Sequence, residues 1–348
     1  MAEGISSPES VEAQIVAGTL HGDKQYAFDE AHDPDHPADF WFQESEEGLI
    51  LFVVFYTQAC RWSRCLGCNL PARMSRHHVG FRNLMAQVDY LLDHPEVRSR
   101  RQALRKVIVS NNGSVLDECT FSSTALIYLI AELNLHLPKL AVLSLETRAE
   151  YVDPPELEFI ARALREGETA TQLELAIGFE VFDERIRNEI FRKGLTLQGF
   201  EALCQLATRY RFRLKCYLMQ KPVPEMSDEE AVRDIANAVA FLHHRSQRDG
   251  CHISLHLNPT YVAFGTVLER RFRLGEYSPP RLRDVARAAL HAEGTSLSVF
   301  LGLSDEGLAC EGGSFVRPGD EAILARLEAF NRTQDYGLLR AVVAMPKA

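Results

Sequence analysis

From residue 50 onward, short apolar runs alternate with longer stretches in which apolar residues recur every three to four positions. The runs at residues 50–57, 106–110, 140–146, 172–179, 213–219 and 252–258 are rich in β-branched residues. Several are apolar without alternation, the mark of parallel strands buried on both faces. The amphipathic stretches at residues 82–94, 122–135, 155–166, 183–192, 197–210 and 228–244 predict helices. Strand then helix, repeated along a chain, is a βα-repeat, which closes either as a doubly wound sheet or as a barrel. Beyond residue 258 the pattern weakens to a helix over 278–293, a strand over 296–303 and a helix over 320–331. Residues 1–43 are rich in Asp, Glu, His, Ser and Pro with little periodicity, and order is expected only where Ile15, Val16 and residues 40–42 recur. The expected division is an N-terminal extension over 1–45, a core of βα units over 46–262, and a C-terminal extension over 263–348 that packs on the core.

The length of 348 residues is enough for a substantial core. No apolar run approaches the length of a membrane span, and the first 18 residues lack the layout of a signal peptide, so the cytosol is the expected compartment. There, eight cysteines read as metal ligands or buried thiols and not as disulfides. The 38 basic and 48 acidic residues leave a net charge of −10, which argues against broad nonspecific nucleic-acid binding. Local basic groups remain. Arg61, Arg64, Arg73, Arg76, His77, His78 and Arg82 surround the first cysteines and suit an anionic ligand, whereas Arg98, Arg100, Arg101, Arg105 and Lys106 read as a solvated helix end.

Three cysteines stand within nine residues, Cys60, Cys65 and Cys68, in a C-x4-C-x2-C loop that follows the first strand of the repeat. A closed structural metal site normally takes four protein ligands, and three thiolates leave one position open for reaction. The pattern therefore points to an iron–sulfur cluster with one iron open to an exogenous ligand. The rival is a zinc site completed by His77 or His78, in a noncatalytic or regulatory protein that keeps the same fold. Cys119, Cys204, Cys216 and Cys251 are dispersed and read as buried thiols, while Cys310 precedes Gly312 and Gly313 in a flexible segment. His252, Ser254, His256 and Asn258 alternate along the sixth strand as a polar line, which a closed core would not tolerate without partners, so it is expected to line a substrate cavity. Tyr217 and Gln220, on and just after the fifth strand, are further candidates for that lining.

A strand, a three-cysteine loop and a run of βα units resemble the radical S-adenosylmethionine (radical SAM) superfamily. The usual loop there is C-x3-C-x2-C. The longer first spacing here is found in the branch of the Elongator catalytic subunit, which the segments Ser110-Asn111-Asn112-Gly113-Ser114, Leu145-Glu146-Thr147-Arg148-Ala149-Glu150-Tyr151-Val152, Glu174-Leu175-Ala176-Ile177-Gly178-Phe179-Glu180 and Arg192-Lys193-Gly194 also resemble. Within it, Leu257-Asn258-Pro259-Thr260, Gly265-Thr266-Val267-Leu268-Glu269 and Phe330-Asn331-Arg332-Thr333-Gln334-Asp335 are similar to the group that forms archaeosine in transfer RNA. The departure is at Cys310-Glu311-Gly312-Gly313, which stands where that group has a further cysteine-containing segment.

The resemblance implies a partial (β/α)6 TIM-like barrel with one [4Fe–4S] cluster on Cys60, Cys65 and Cys68, and SAM on its open iron. It implies reductive cleavage of SAM to methionine and a 5′-deoxyadenosyl radical, with a reductase, flavodoxin or ferredoxin as electron donor. Asn112, Gly113 and Ser114 would meet the methionine amino group, with Gly113 permitting close backbone approach. Arg148 would pair the SAM carboxylate and Glu146 the ribose, against the plainer reading that they form an ion pair at a strand end. Trp62, Leu66 and Asn69 would shield the cluster or touch adenine, and Cys310 would be a catalytic thiol or a plain loop cysteine. The substrate would be a transfer-RNA nucleobase or a small anionic metabolite. A partner subunit for substrate recognition suits a chain with no evident RNA-binding module.

Overall fold

In the computed structural model, which describes residues 8–346, the apolar runs become strands. They are β1 (Asp39–Ser45), β2 (Gly48–Val54), β3 (Leu104–Ser110), β4 (Val142–Thr147), β5 (Gln172–Glu180), β6 (Arg213–Gln220), β7 (Ile253–Pro259) and β8 (Ser298–Leu301). Strand order in the sheet follows the chain, β1 to β8. β1 and β2 form an antiparallel hairpin with Ser45 opposite Gly48, while β2–β3, β3–β4, β6–β7 and β7–β8 are parallel. Parallel strands in chain order joined through helices are the topology of a partial (β/α) barrel, as the βα-repeat leads one to expect. Two departures enlarge the sheet: β1 comes from the segment expected as an extension, and β8 adds a short parallel strand at the other end. No described helix is long and apolar enough to cross a membrane.

The chain divides into two compact units. One takes the chain up to Gly22, Tyr26–Arg64 and Leu70–Ala176; the other takes Asp23–Gln25, Cys65–Asn69 and the chain from Ile177 onward. In the first unit, β2 and β3 are buried because Ile50 to Val54 and Val107 to Val109 have no solvent face. The helix Phe81–Asp93 supplies Leu84, Val88 and Leu91 at helical spacing. The helix Pro8–His21, not expected from the sequence, buries Val11 and Ile15, the latter one of the apolar residues noted above. Lys106 corrects one expectation. It is not part of a solvated helix end but is fully buried on β3, 2.7 Å from Glu47 and 2.8 Å from Glu174. Its register opposite Ile50 and Val142 turns the side chain to an enclosed face, and two carboxylates offset the cost of burying its charge.

In the second unit, the helix Asp228–Asp249 begins in a capping box between Ser227 and Glu230 and ends at Gly250 in the left-handed conformation. The helix Leu197–Tyr210 is capped by the Thr196 hydroxyl and ends at Arg211, also left-handed. The stretch expected as a helix over 183–192 is a single π turn, Ile186–Ile190, closed by the Phe191 N–H to the Ile186 carbonyl at 2.8 Å. Its cause is Arg187, which is fully buried and donates to the Leu195 carbonyl at 2.7 Å, Val181 at 2.8 Å and Phe182 at 3.2 Å. Those bonds draw the turn away from ordinary α geometry, and such turns recur at functional sites.

Candidate functional site

Cys60 belongs to the first unit, and Cys65 and Cys68 belong to the second. All eight cysteines are free thiols, and Cys60, Cys65 and Cys68 are each half-buried. Among the described residues no group of three or more His, Cys, Asp or Glu side chains is arranged to hold a metal ion.

On the first unit's side, the loop leaves β2 and is tied down by the Ala59 N–H to the Ser75 carbonyl at 2.8 Å. Gly113, just past the end of β3, comes so near Cys60 that a Cβ on it would stand 3.2 Å from the Cys60 Cα and 3.3 Å from its Cβ. Asn112 before it has a φ of +53°, a left-handed backbone held by Asn111, whose side-chain oxygen accepts the Gly113 N–H at 3.2 Å. Ser114 is buried; its hydroxyl lies 2.6 Å from that of Thr147 and accepts the Arg148 N–H at 3.1 Å. The Val115 N–H donates to the Glu146 carbonyl at 2.8 Å. The segments after β3 and β4 that the resemblance singled out are therefore joined to each other, and the first of them touches Cys60.

Arg148 is buried and forms a short ion contact with Glu150. Its guanidinium lies 4.4 Å from the centre of the Trp62 ring, and Arg64 lies 5.0 Å from the same ring. Next to Cys60, Arg61 donates to the buried Asp117 at 2.6 Å and lies 5.1 Å from the centre of the Tyr151 ring. Burial raises the Asp117 carboxyl above its ordinary range, against the pull of Arg61. Burial, then the nearby Asp117 charge, pushes the Tyr151 hydroxyl up as well. Asp117 and Tyr151 were not expected from the sequence; the one faint signal is an acidic residue shortly after the Asn-Asn-Gly-Ser turn. His77 and His78, the zinc alternative's ligands, are both exposed, and His77 lies 3.2 Å from Glu12.

On the second unit's side, the Cys68 N–H reaches the Cys65 carbonyl at 3.2 Å, and the Leu66 N–H donates to the Phe191 carbonyl at 2.9 Å. Leu66 packs with Phe191, Val223, Met226 and Ala231, with Cys65 at the edge of that cluster. The π turn thus carries the residue that receives the loop. Asn69 is fully buried and donates to the carbonyls of Phe264 at 3.3 Å and Leu308 at 3.1 Å. Two residues beyond Leu308, Cys310 is half-buried against Val262, Leu268 and Tyr277, and burial raises its thiol pKa.

The polar line on β7 is divided. His252 precedes the strand and is exposed, whereas Ser254, His256 and Asn258 share a face with Lys215, Tyr217 and Met219 of β6 and Ser298 and Phe300 of β8. Tyr217 and His256 have ring centres 4.8 Å apart, and His256 and Phe300 4.9 Å apart. The Ser254 hydroxyl is buried without a hydrogen-bond partner among the described residues. Gln220 lies on the opposite face of β6, buried, with its amide likewise without a partner among the described residues. Cys204, Cys216 and Cys251 are buried as expected, but Cys119 is half-exposed in the loop after β3.

No family model matches the chain. It is 24% identical over 318 residues to an uncharacterized protein of Methanocaldococcus jannaschii, covering 88% of this chain and 84% of that one. It is 27% identical over 240 residues to the archaeosine synthase subunit beta of Methanosarcina acetivorans, covering 68% of this chain and 64% of that one, just under two thirds of its length. Among solved structures, methylornithine synthase covers 97% of this chain and 93% of its own, at 13% identity and a TM-score of 0.42.

Proposed function

We propose that this chain is a radical SAM enzyme, with a [4Fe–4S] cluster held on Cys60, Cys65 and Cys68 and S-adenosylmethionine as its second cofactor, and that it acts on a nucleobase of transfer RNA. The observation that carries the cofactor reading is the close approach of Gly113 to Cys60, which puts a backbone without a side chain beside the first thiol of a three-thiol loop. Three half-buried free thiols suit iron, and the missing side chain at Gly113 lets the backbone after β3 approach the first of them without crowding it. What the bound pair supplies is one-electron cleavage of SAM to methionine and a 5′-deoxyadenosyl radical.

The chain's own residues then divide the work of binding. Asn112 and Gly113 are partly accessible and are suited to receive the methionine amino group. Ser114 is buried and spends its hydroxyl on Thr147 and the Arg148 backbone, so its role is to hold the two loops together. Glu146 is half-buried at the end of β4, where a carboxylate suits a ribose hydroxyl. Arg148 brings positive charge for the SAM carboxylate, and Trp62 covers its guanidinium. Ser254, His256 and Asn258 line the substrate side on β7, and Cys310 is the remaining thiol candidate there. The name archaeosine synthase subunit beta, borne by a relative, supports a nucleobase substrate and a partner subunit. The net charge of −10 is the observation that favours a small anionic metabolite as second reading only if such a partner supplies no RNA contacts.

The test is anaerobic reconstitution with iron and sulfide, then incubation with dithionite and SAM and assay for 5′-deoxyadenosine. Product that disappears in Cys65→Ala supports the reading; a protein that binds zinc and leaves SAM intact overturns it. Incubation with unmodified and modified transfer RNA against a panel of carboxylate metabolites then separates the two substrate classes by which one raises 5′-deoxyadenosine formation.

A further inference from the structure

Cys60 is followed at once by an arginine whose charge is fully matched. The Arg61 Nε lies 2.6 Å from an Asp117 oxygen, and the Asp117 side chain is 3% exposed. That geometry is unlike the surface ion pairs elsewhere in the chain, which water and salt screen heavily. The acceptor is itself fixed: Asp117 also takes the Cys119 N–H at 3.2 Å, and its own N–H donates to the Ser114 carbonyl at 3.0 Å. Tyr151, after β4, closes the other side of the guanidinium. Within the loop, the Ser63 hydroxyl donates to the Cys60 carbonyl while Ser63 itself adopts a φ of +42°. A non-glycine residue held left-handed marks a turn whose shape its surroundings dictate. The backbone that follows Cys60 is therefore held at Arg61 and at Ser63.

We infer that Asp117, acting through Arg61, is a positioning residue for Cys60 and keeps that edge of the metal site electrically neutral; the inference rests on the reading of Cys60 as a cluster ligand. Two consequences follow from the geometry. Removing the Asp117 charge while keeping its shape leaves the Arg61 cation uncompensated beside the first thiolate. A cation there stabilises the reduced, more negative cluster, because the potential of such a centre follows the charge around it. Shortening or blunting the Arg61 fork instead keeps the charge but loosens the loop, since a lysine ammonium cannot reproduce the directed Nε contact.

The experiment reconstitutes the full chain anaerobically as wild type, Asp117→Asn, Asp117→Glu, Arg61→Lys and Cys60→Ser. For each, iron per chain is measured together with the cluster's midpoint potential by EPR-monitored redox titration. Asp117→Asn is expected to shift the potential to less negative values, and Asp117→Glu to return it toward wild type. Arg61→Lys is expected to leave the potential near wild type while lowering iron retention on gel filtration. Asp117→Asn that loads fully and titrates as wild type overturns the inference. If Asp117→Asn does not fold, Arg61→Lys decides it: wild-type iron retention in that variant overturns the positioning role. Cys60→Ser reports separately on the underlying reading, since a cluster unaltered in that variant removes Cys60 from the ligand set whatever Asp117 does.

Discussion

Arg187 offers the sharpest test of how the second unit receives the cysteine loop. Its guanidinium is fully buried and donates to three backbone carbonyls, those of Val181, Phe182 and Leu195, the last shared with the Asn188 amide at 3.0 Å. Burial lowers its pKa below the ordinary arginine value, and a guanidinium starts so far above neutrality that the group stays charged. Its ion-pair partner Glu184 is 3.6 Å away and 46% exposed, so that pair contributes about 0.5 kcal/mol or less. Stability at this position comes from the carbonyls. Hydrogen bonds from a charged donor contribute about 1.5–3 kcal/mol each and do not add fully, so Arg187→Met is expected to cost about 3–5 kcal/mol. Arg187→Lys should recover less than half of that, because one ammonium on a flexible stem cannot serve carbonyls on both sides of it.

The loss should propagate to Leu66, whose N–H reaches Phe191 at the end of the same turn. If about 2 kcal/mol of the cost appears as easier local opening, the Leu66 amide should exchange about thirtyfold faster. Urea unfolding followed by circular dichroism gives the global term, and hydrogen exchange read at Leu66 gives the local one. An Arg187→Met protein with an unchanged midpoint, or with a lower midpoint but unchanged Leu66 exchange, would refute the link between the turn and the loop.

Gly113→Ala would push a methyl group to 3.2 Å from the Cys60 Cα, and that crowding should cost about 1–3 kcal/mol and lower iron per chain on reconstitution, whereas the exposed Gly250→Asn should leave iron content untouched. Burial pushes the Cys204 thiol up to about 12 and the Cys251 thiol up to about 11, from an ordinary 9.0. The native state then keeps both protons where the unfolded chain releases them, so stability should fall as pH rises from about 9 to about 12, and Cys204→Ala should flatten that fall in urea titrations. At pH 8 a thiol reagent should label the half-buried Cys60, Cys65, Cys68, Cys119 and Cys310 quickly and leave Cys204, Cys216 and Cys251 until the chain unfolds. Ser227→Ala breaks the capping box of the helix Asp228–Asp249 and should cost about 1 kcal/mol by the same urea assay.

The strands were legible because a parallel strand buried on both faces must be apolar at every position, and residues 50–54 and 107–109 carry nothing else. What escaped follows from where the partners lie. Arg61 and Asp117 are 56 residues apart, and no periodicity links them. Arg187 sits in a stretch with helical spacing and adopts a π turn because it bonds carbonyls outside that stretch, which composition cannot reveal. Lys106 read as surface because lysine usually is, and only register with β2 and β4 shows that it is enclosed. His252 failed by one position: β7 starts at Ile253, so the alternation that places Ser254 and His256 together leaves His252 outside.

The cysteine loop is held in two different ways along its length. Its first cysteine is set by side chains, through the charge pair of Arg61 and Asp117 and the missing side chain of Gly113. Its second and third are set mainly by backbone, through Leu66 on Phe191 and through the Asn69 amide on the carbonyls of Phe264 and Leu308. Backbone anchors tolerate substitution of the residues that bear the carbonyls, whereas a charge pair or a glycine does not. The metal-binding competence of the chain should therefore be far more sensitive to single substitutions at Arg61, Gly113 and Asp117 than at Phe264 or Leu308. Asn69 is the exception on the second side, because its buried amide makes both of those bonds and Asn69→Leu would remove them together, leaving the Leu308 carbonyl only the Phe264 N–H at 3.2 Å. A scan of alanine and isosteric variants at these positions, read by iron per chain, should sort them in that order; equal sensitivity at Phe264 and Asp117 would mean that the loop is held by packing alone.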